Sequence, residues 1–370
     1  MYSSAKNLKT DVVIIGGGVA GAATALSLQQ QGITNIAIAE KSSQKDFHIG
    51  ETVPPQMRSL LAQLDVSHLL DSDTHIPSQG NCAAWGNLEL IFHDYFMSGE
   101  GHGWHLDRPL FNISLADTAA NRKARLMRET AVVGYSRLKD GGWNLRLKNK
   151  DGKQWDVLTK FVIDASGHHS IFARWQGVRK VTLDRLMGVA GIFTWSNNPA
   201  ADYYTTIEAA EFGWWYGARL PNNRAIVTLM SERDILQKYQ LLKLENWLEY
   251  LQTTQYIREL ITEGSCPTKL IIQPAFSTYL ERVVGDRWLA VGDAATTFDP
   301  LSSAGIYKAI HSGIKAGEAI AAYLRGNTQT LHSYEALIKT AIVDYLEEKQ
   351  QYYDKETRWS NSIFWQCRQS

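Results

Sequence analysis

Val12-Val-Ile-Ile-Gly16-Gly-Gly18-Val-Ala20-Gly21-Ala-Ala-Thr-Ala25-Leu-Ser-Leu-Gln-Gln-Gln31-Gly32 decides how the chain is read. Four β-branched residues suit a short strand buried on both faces. The Ala/Leu-rich run from Val19 to Gln31, stopped by Gly32, suits a helix. Ile36-Ala-Ile-Ala39 is a second strand, so the opening is β-α-β. Gly16-x-Gly18-x-x-Gly21-x-x-x-Ala25 lies between strand and helix. There one glycine makes the tight turn, one lets backbone approach a pyrophosphate, and one packs helix on strand. Glu40 follows Gly21 by 19 positions, where a carboxylate accepts both hydroxyls of an adenosine ribose. A ligand-free packing turn is the bland alternative. The strand, helix, Ala25 and Glu40 together favour dinucleotide binding, and Glu rather than Arg disfavours a 2′-phosphate.

The chain has 370 residues, 44% of them apolar. That suits two domains and excludes a disordered chain. Lys+Arg and Asp+Glu balance at 38 each, which argues against a nucleic-acid-binding protein. The one basic cluster, Arg122, Lys123, Arg125 and Arg128, reads as a solvated helix end. Cys82, Cys266 and Cys367 are too scattered for a disulfide framework or a cysteine zinc site, and they suit a reducing compartment. Glycines interrupt the apolar run Val12 to Leu28, so neither a signal peptide nor a membrane span is expected. The expectation is a cytoplasmic protein with no membrane and no nucleic-acid partner. His93, His102 and His105 tempt a metal reading, as do the adjacent His168 and His169. Without HxxxH and a carboxylate partner, no metal is expected.

Asp107 to Met127 is expected as a helix. Val132 to Leu138, Trp143 to Leu147 and Trp155 to Ile163 alternate and are separated by Asp140-Gly-Gly and Lys150-Asp-Gly, an antiparallel meander. Leu186 to Met230 is strand-like, with Pro221-Asn-Asn as a turn. Leu236 to Ile261 is helical, Trp288-Leu-Ala-Val291 is a buried strand, and Ser303 to Leu324 and Leu331 to Thr357 are helices. If the strands at Val12 and Trp288 line one nucleotide site, the first domain is discontinuous. Two further motifs carry chemistry. Gly292-Asp293-Ala-Ala precedes Asp299-Pro300-Leu-Ser-Ser303-Ala304-Gly305-Ile306. There an Asp can bind a ribityl hydroxyl, and a helix N-terminus can face a flavin ring that gains negative charge on reduction. Asp164-Ala-Ser-Gly167-His-His-Ser170 follows the strand Phe161 to Ile163.

In this order and spacing the three motifs resemble the FAD-dependent monooxygenases of the para-hydroxybenzoate hydroxylase fold, including flavin-dependent halogenases. The resemblance covers nearly the whole chain. It implies non-covalent FAD held by Gly16, Gly18, Ala20, Gly21, Glu40, Lys41, Glu51, Thr52, Arg108, Asp164, Gly167, Gly292, Asp293, Pro300, Ser303, Ala304, Gly305 and Ile306. His48-Ile-Gly-Glu51-Thr-Val-Pro54-Pro55 is similar to the family's Gly-Glu segment beside the isoalloxazine. Gly103-Trp104-His-Leu-Asp-Arg108-x-x-Phe111 is similar to the segment whose Arg reaches the cofactor. Glu211-Phe-Gly213-Trp214-Trp215-Tyr216-x-x-x-Leu220-Pro221 resembles the halogenase Gly-Trp-x-Trp-x-Ile-Pro motif, with Tyr216 in place of its second Trp. Halogenases carry a lysine in an Ala-x-Phe-Lys segment. Ala83-Ala84-Trp85-Gly86 stands there instead, so halogenation is disfavoured and oxygen transfer remains. With the compact length, this pattern is similar to LodB/GoxB-type flavoproteins, which mature quinone-bearing amino-acid oxidases. In that group the substrate is a tryptophan of a partner precursor, hydroxylated towards cysteine tryptophylquinone.

The expected fold is α/β (α+β), with a discontinuous Rossmann-like FAD domain at 1–74, 100–184 and 276–327. An antiparallel-sheet substrate domain is expected at 75–99 and 185–275, and a C-terminal helical segment at 328–370. The expected activity is FAD-dependent monooxygenation with molecular oxygen. No second nucleotide motif exists, so NAD(P)H or another reductant would bind transiently. His48 and Glu51 are the candidate bases. Trp85, Trp214 and Tyr216 are candidates for lining an aromatic substrate chamber, with core packing as the equal alternative. A strand would put Trp214 and Tyr216 on one face and Trp215 on the other. The rival readings are a hydroxylase of a free small aromatic and a non-catalytic flavin-bearing chaperone of the precursor.

Overall fold

The computed structural model describes residues 8–43, 50–195, 203–261 and 265–369. Leu8–Ile15 runs inside a largely parallel sheet, between Gln154–Asp164 and Ile36–Ala39. Trp288–Ala290 and Arg125–Met127 extend it on either side, again in parallel. Val12 to Ile15 are buried, as a β-branched run covered on both faces must be. The strands at Val12 and Trp288 therefore belong to one sheet, although they are far apart in sequence. Thr130–Arg137, Trp143–Asn149 and Gln154–Asp164 form the expected antiparallel meander.

Two helices seal one face of this sheet. Gly305–Leu324 crosses Val19–Gln30 so closely that a Cβ on Gly313 would lie 2.8 Å from the Ala20 carbonyl oxygen. The Ser27 hydroxyl donates to the Ile314 carbonyl across the contact at 2.9 Å. This packing fixes both helix N-termini on the same side of the sheet.

The second sheet has seven strands in the order Ile271–Pro274, Leu186–Thr194, Arg224–Glu232, Gly213–Leu220, Tyr204–Ala210, Gly80–Ala84 and Ile91–Asp94. Its pairs are antiparallel except for Tyr204–Ala210 with Gly80–Ala84. The alternation holds. Trp214 and Tyr216 enter one core, and Trp215 enters the other beside Phe193 and Trp247. A small sheet of Thr52–Val53, Gly103–His105 and Ile76–Ser78 stands beside these two.

This is the mixed α/β class that the sequence implies, but several helices are shorter than expected. The Asp107–Met127 helix is Arg108–Asn121, capped by the Asp107 carboxylate, which accepts from the Leu110 amide at 3.2 Å. It ends because Lys123 takes a left-handed φ of 82°. Arg125–Met127 is then free to join the parallel sheet. Leu236–Ile261 is not one helix but part of a run of three short ones, Arg233–Lys238, Leu244–Leu251 and Ile257–Leu260, with Gln240 at φ 52° between the first two. The terminal helix is Gln329–Asp354, followed by the short helix Ile363–Gln366. Among the described residues no helix is long and apolar enough to cross a membrane.

Candidate functional site

A cavity of about 680 Å³ runs from the glycine turn to the seven-stranded sheet. Gly17, Gly18, Val19, Ala20, Glu40 and Ser42 line one end, and Tyr216, Met230 and Gln273 to Phe276 line the other. Between them lie Thr52, Arg108, Gly167, Asp293, Pro300, Ser303, Gly305 and Ile306. Residues from all three sequence motifs thus meet around one space.

The glycine turn is built for backbone approach. A Cβ on Gly21 would be driven into the Gly16 carbonyl oxygen, so this glycine serves the packing of helix on turn. A Cβ on Gly18 would meet nothing within 4 Å, and Gly18 borders the cavity. The free first-turn amides of Val19–Gln30 lie at the same wall, a ready anion site. The Glu40 carboxylate accepts from the Gly17 amide and from the Ser42 amide, each at 2.6 Å. These bonds fix its orientation and leave lone pairs for a further donor pair.

Other expected site residues stand behind the wall. Gly16 and Gly292 are close-approach positions, since a Cβ on Gly292 would lie 2.6 Å from the Ala20 Cβ. Asp164 is fully buried and braces the loop after its strand. It accepts from the Ser166 amide at 3.1 Å, the Ser166 hydroxyl at 2.5 Å and the Ala173 amide at 2.9 Å. Lys41 and Ala304 do not border the cavity. His48 lies outside the described residues.

Glu51 is buried between Gly50 and Thr52, both of which border the cavity. Its Oε2 accepts from the Gly50 amide at 3.0 Å, and its Oε1 has no partner among the described residues. Burial pushes its carboxyl up to about 7, against the opposing pull of the Arg108 guanidinium. Arg108 itself borders the cavity and donates to the Gly50 carbonyl.

Thr52 ties this side to the seven-stranded sheet. Its hydroxyl oxygen lies 3.1 Å from His105 Nδ1, 2.9 Å from the Thr205 hydroxyl and 3.1 Å from the Tyr216 hydroxyl. His105 Nε2 faces the Tyr203 carbonyl at 3.1 Å and must carry the proton there. Burial pulls the His105 imidazole down to about 4, so near neutrality Nδ1 is an acceptor. The Thr52 hydroxyl donates to it, and Thr205 and Tyr216 donate to Thr52. Burial raises the Tyr216 phenol well above its ordinary value and keeps it protonated.

The aromatic chamber expected around Trp85 and Trp214 is filled. Neither residue borders the cavity. Trp85 packs edge-on against Trp214, Tyr353 and Trp365, with ring centroids 6.3, 5.7 and 5.3 Å away. Its indole donates to the Tyr352 carbonyl at 2.7 Å. The C-terminal residues complete a core there, and of the three candidates only Tyr216 reaches the cavity.

Lys308 was not legible as a site residue. Its ammonium lies in the cavity wall, 3.1 Å from the Asp293 carboxylate. A cation in the first turn of a helix opposes the helix dipole, and that mismatch was the available signal. Lys180, whose ammonium burial pulls down to about 8, donates to the carbonyl of His168 at 2.6 Å. His168 and His169 themselves line the cavity.

Two helix N-termini, an unfilled glycine floor and an oriented carboxylate fit a long dinucleotide. The half-buried Arg108 and the Tyr216 side chain at the far end fit its larger ring system. The description "FAD binding domain" matches the chain over residues 9–344. The FAD-dependent oxidoreductase LodB of Marinomonas mediterranea is 32% identical over 362 residues, covering 97% of this chain and 96% of LodB. Among solved structures, the flavin-dependent halogenase CmlS superposes with a TM-score of 0.85 at 23% identity, covering 98% of this chain and 68% of CmlS. QhpG, described as a peptidyl tryptophan dihydroxylase essential for tryptophylquinone cofactor biogenesis, superposes with a TM-score of 0.77 at 20% identity, covering 98% of this chain and 79% of QhpG. The glycine turn, the shared cavity and the end-to-end match to LodB make this chain a member of the FAD-binding-domain family, an FAD-dependent monooxygenase of the LodB-like group.

Proposed function

We propose that this protein hydroxylates a tryptophan side chain in a partner precursor, a step in building the cysteine tryptophylquinone cofactor of an amino-acid oxidase. The observation that carries the reading is the match to LodB along the whole of both chains. The likeness to a peptidyl tryptophan dihydroxylase supports it at the level of the fold. FAD, when bound, supplies reductive activation of molecular oxygen, using electrons from NAD(P)H or another transient donor.

The remaining roles fall to the chain. The first-turn amides of Val19–Gln30 hold the pyrophosphate, and Glu40 takes the adenosine ribose. Arg108 places a positive charge in the wall, and Tyr216 fixes the shape of the far end. An indole ring must lose a proton from the oxygenated carbon to recover aromaticity. Glu51 stands behind the wall at Gly50 and Thr52 and would take it up through a bridging group, because its Oε1 has no partner among the described residues and burial poises it near neutrality. No amine stands at Gly86 to serve halide chemistry. A Cβ there would lie 2.7 Å from the Lys355 carbonyl oxygen.

The test is deletion of this protein in its host, followed by mass spectrometry of the tryptophans of the partner amino-acid oxidase. The expected result is an oxidase lighter by the inserted oxygens, with an unmodified tryptophan. Recovery of a fully quinone-bearing oxidase would overturn the reading and favour a hydroxylase of free aromatics.

A further inference from the structure

The seven-stranded sheet ends on Ile91–Asp94. This strand pairs with Gly80–Ala84 on its inner side, in register from Ala83↔Ile91 to Gly80↔Asp94, and among the described residues no strand pairs with its outer side. Free sheet edges attract other chains, and proteins commonly blunt them with lysine, proline or a bulge. Here the reverse holds. Leu88, Ile91, Phe92, Phe96 and Met97 are between 54% and 83% exposed. Each such side chain left in water forgoes the gain of burying its apolar surface. Ile91 and Phe92 point to opposite faces of the strand, so apolar side chains stand exposed on both faces of this edge, with Leu88, Phe96 and Met97 at its two ends.

The hairpin is held in shape without a partner. The Asp94 carboxylate accepts from the Met97 amide at 2.8 Å, and the Ser98 hydroxyl donates to the Asp94 carbonyl at 2.9 Å. The Tyr204 hydroxyl donates to Asp94 at 2.5 Å, and the Tyr204 ring meets Phe92 edge-on at 5.1 Å. The Tyr256 hydroxyl anchors the Leu88 carbonyl at 2.9 Å.

Charge selects the occupant. Although the whole chain is neutral, the stretch between Arg58 and Arg108 contains no Lys or Arg. Its carboxylates are Asp65, Asp71, Asp73, Glu89, Asp94, Glu100 and Asp107. Glu89 and Asp94 lie on the hairpin itself, and Glu100 lies just beyond it with its carboxylate 3.8 Å from His93 Nε2. A second copy pairing edge to edge would set these same carboxylates against one another, which disfavours that occupant. A basic segment would meet complementary charge.

We propose that Ile91–Asp94, with Leu88, Phe96 and Met97, is a docking edge for an extended, apolar, lysine- or arginine-bearing segment of the precursor polypeptide, which adds to the sheet as an eighth strand. The identity of the partner rests on the function proposed above, whereas the capture of a basic strand does not.

The probe is a capped nine-residue peptide, Lys-Val-Thr-Val-Lys-Val-Thr-Val-Lys, and its twin with Glu at the three Lys positions. Binding is read by fluorescence anisotropy and by amide hydrogen exchange in residues 91–94 of the FAD-loaded protein. The basic peptide is expected to bind at least roughly tenfold more tightly at low salt and to slow exchange in this strand. Salt is expected to narrow the gap, because exposed charges are screened. The double variant Ile91→Lys, Phe92→Lys is expected to lose the binding while keeping its flavin. Phe96→Asp, away from the ladder, is expected to weaken it in part.

Equal binding of both peptides would overturn the proposal. So would a concentration-dependent dimer in sedimentation that protects the edge unaided, since the occupant would then be a second copy. Peptide capture combined with a normally matured oxidase in the deletion strain would sink the proposed function and leave the docking edge standing.

Discussion

Thr52 and Tyr216 are 164 positions apart in sequence, and their hydroxyl oxygens lie 3.1 Å apart beside the cavity. The contact joins the small sheet to the seven-stranded sheet. Because His105 takes the Thr52 proton, Thr52 can only accept from Tyr216 and Thr205. Thr52→Val would strand both donors and the imidazole Nδ1. At about 1–3 kcal/mol per buried unpaired group, the expected loss is about 3 kcal/mol or more by urea denaturation. Tyr216→Phe should lose about 1 kcal/mol. The double variant should lose less than the sum, because one stranded donor disappears with the phenol. Strict additivity would show that the two hydroxyls do not share this bond.

Much of this site was legible because local rules created it. The glycine turn, Glu40 and the strand at Trp288 each follow from periodicity or a motif within one β-α unit. His105 was not legible as the partner of Thr52, because pairing between strands of two and three residues leaves no period to read. The chamber around Trp85 was misread for a related reason. Alternation placed Trp214 correctly on one face, but nothing local says that Tyr353 and Trp365 come back to fill the space. The overrun of the helix from Asp107 has a local cause that propensity hides, since a lysine rarely adopts the left-handed φ of Lys123.

Gly18 and Gly21 should separate binding from folding. Gly18 has an extended φ of −68° and open space where its Cβ would stand. Gly18→Val should therefore fold, melt cooperatively and contain no FAD, because the side chain enters the pyrophosphate floor. Gly21→Val should fail to accumulate as folded protein, since its Cβ collides with the Gly16 carbonyl. Flavin absorbance and circular dichroism decide both. Full FAD occupancy in Gly18→Val would sink the placement of the pyrophosphate.

Gly86 bears on halogenation. Assays with tryptophan, chloride or bromide and reduced flavin should give no halogenated product. Installing the missing amine should not help. Gly86 has φ 77°, and its Cβ direction points at the Lys355 carbonyl. Gly86→Lys should lower the melting temperature and still leave chloride and bromide untouched. Chlorinated or brominated tryptophan from the unmodified enzyme would show that another group activates halide.

Glu51 and His105 oppose each other in pH-dependent stability. The His105 imidazole falls from 6.5 to about 4 on folding, so between those values the unfolded chain binds the extra proton and stability rises with pH. The Glu51 carboxyl rises from 4.5 to about 7, so across that window the native state keeps the proton and stability falls with pH. At 1.36 kcal/mol per unit, each contribution is about 3 kcal/mol, and the two nearly cancel between pH 4.5 and 6.5. Flavin-free wild-type protein should show little slope from this pair. Glu51→Gln should expose the His105 contribution, with stability climbing by about 3 kcal/mol from pH 4 to 6.5. His105→Gln should expose the opposite trend, with stability falling from pH 4.5 to 7. Read as slopes of urea-denaturation free energy against pH, both effects are independent of packing lost at either site. Slopes of the same sign in the two variants would mean that burial does not perturb these groups in the stated directions, and Glu51 would lose its claim to hold a proton near neutrality.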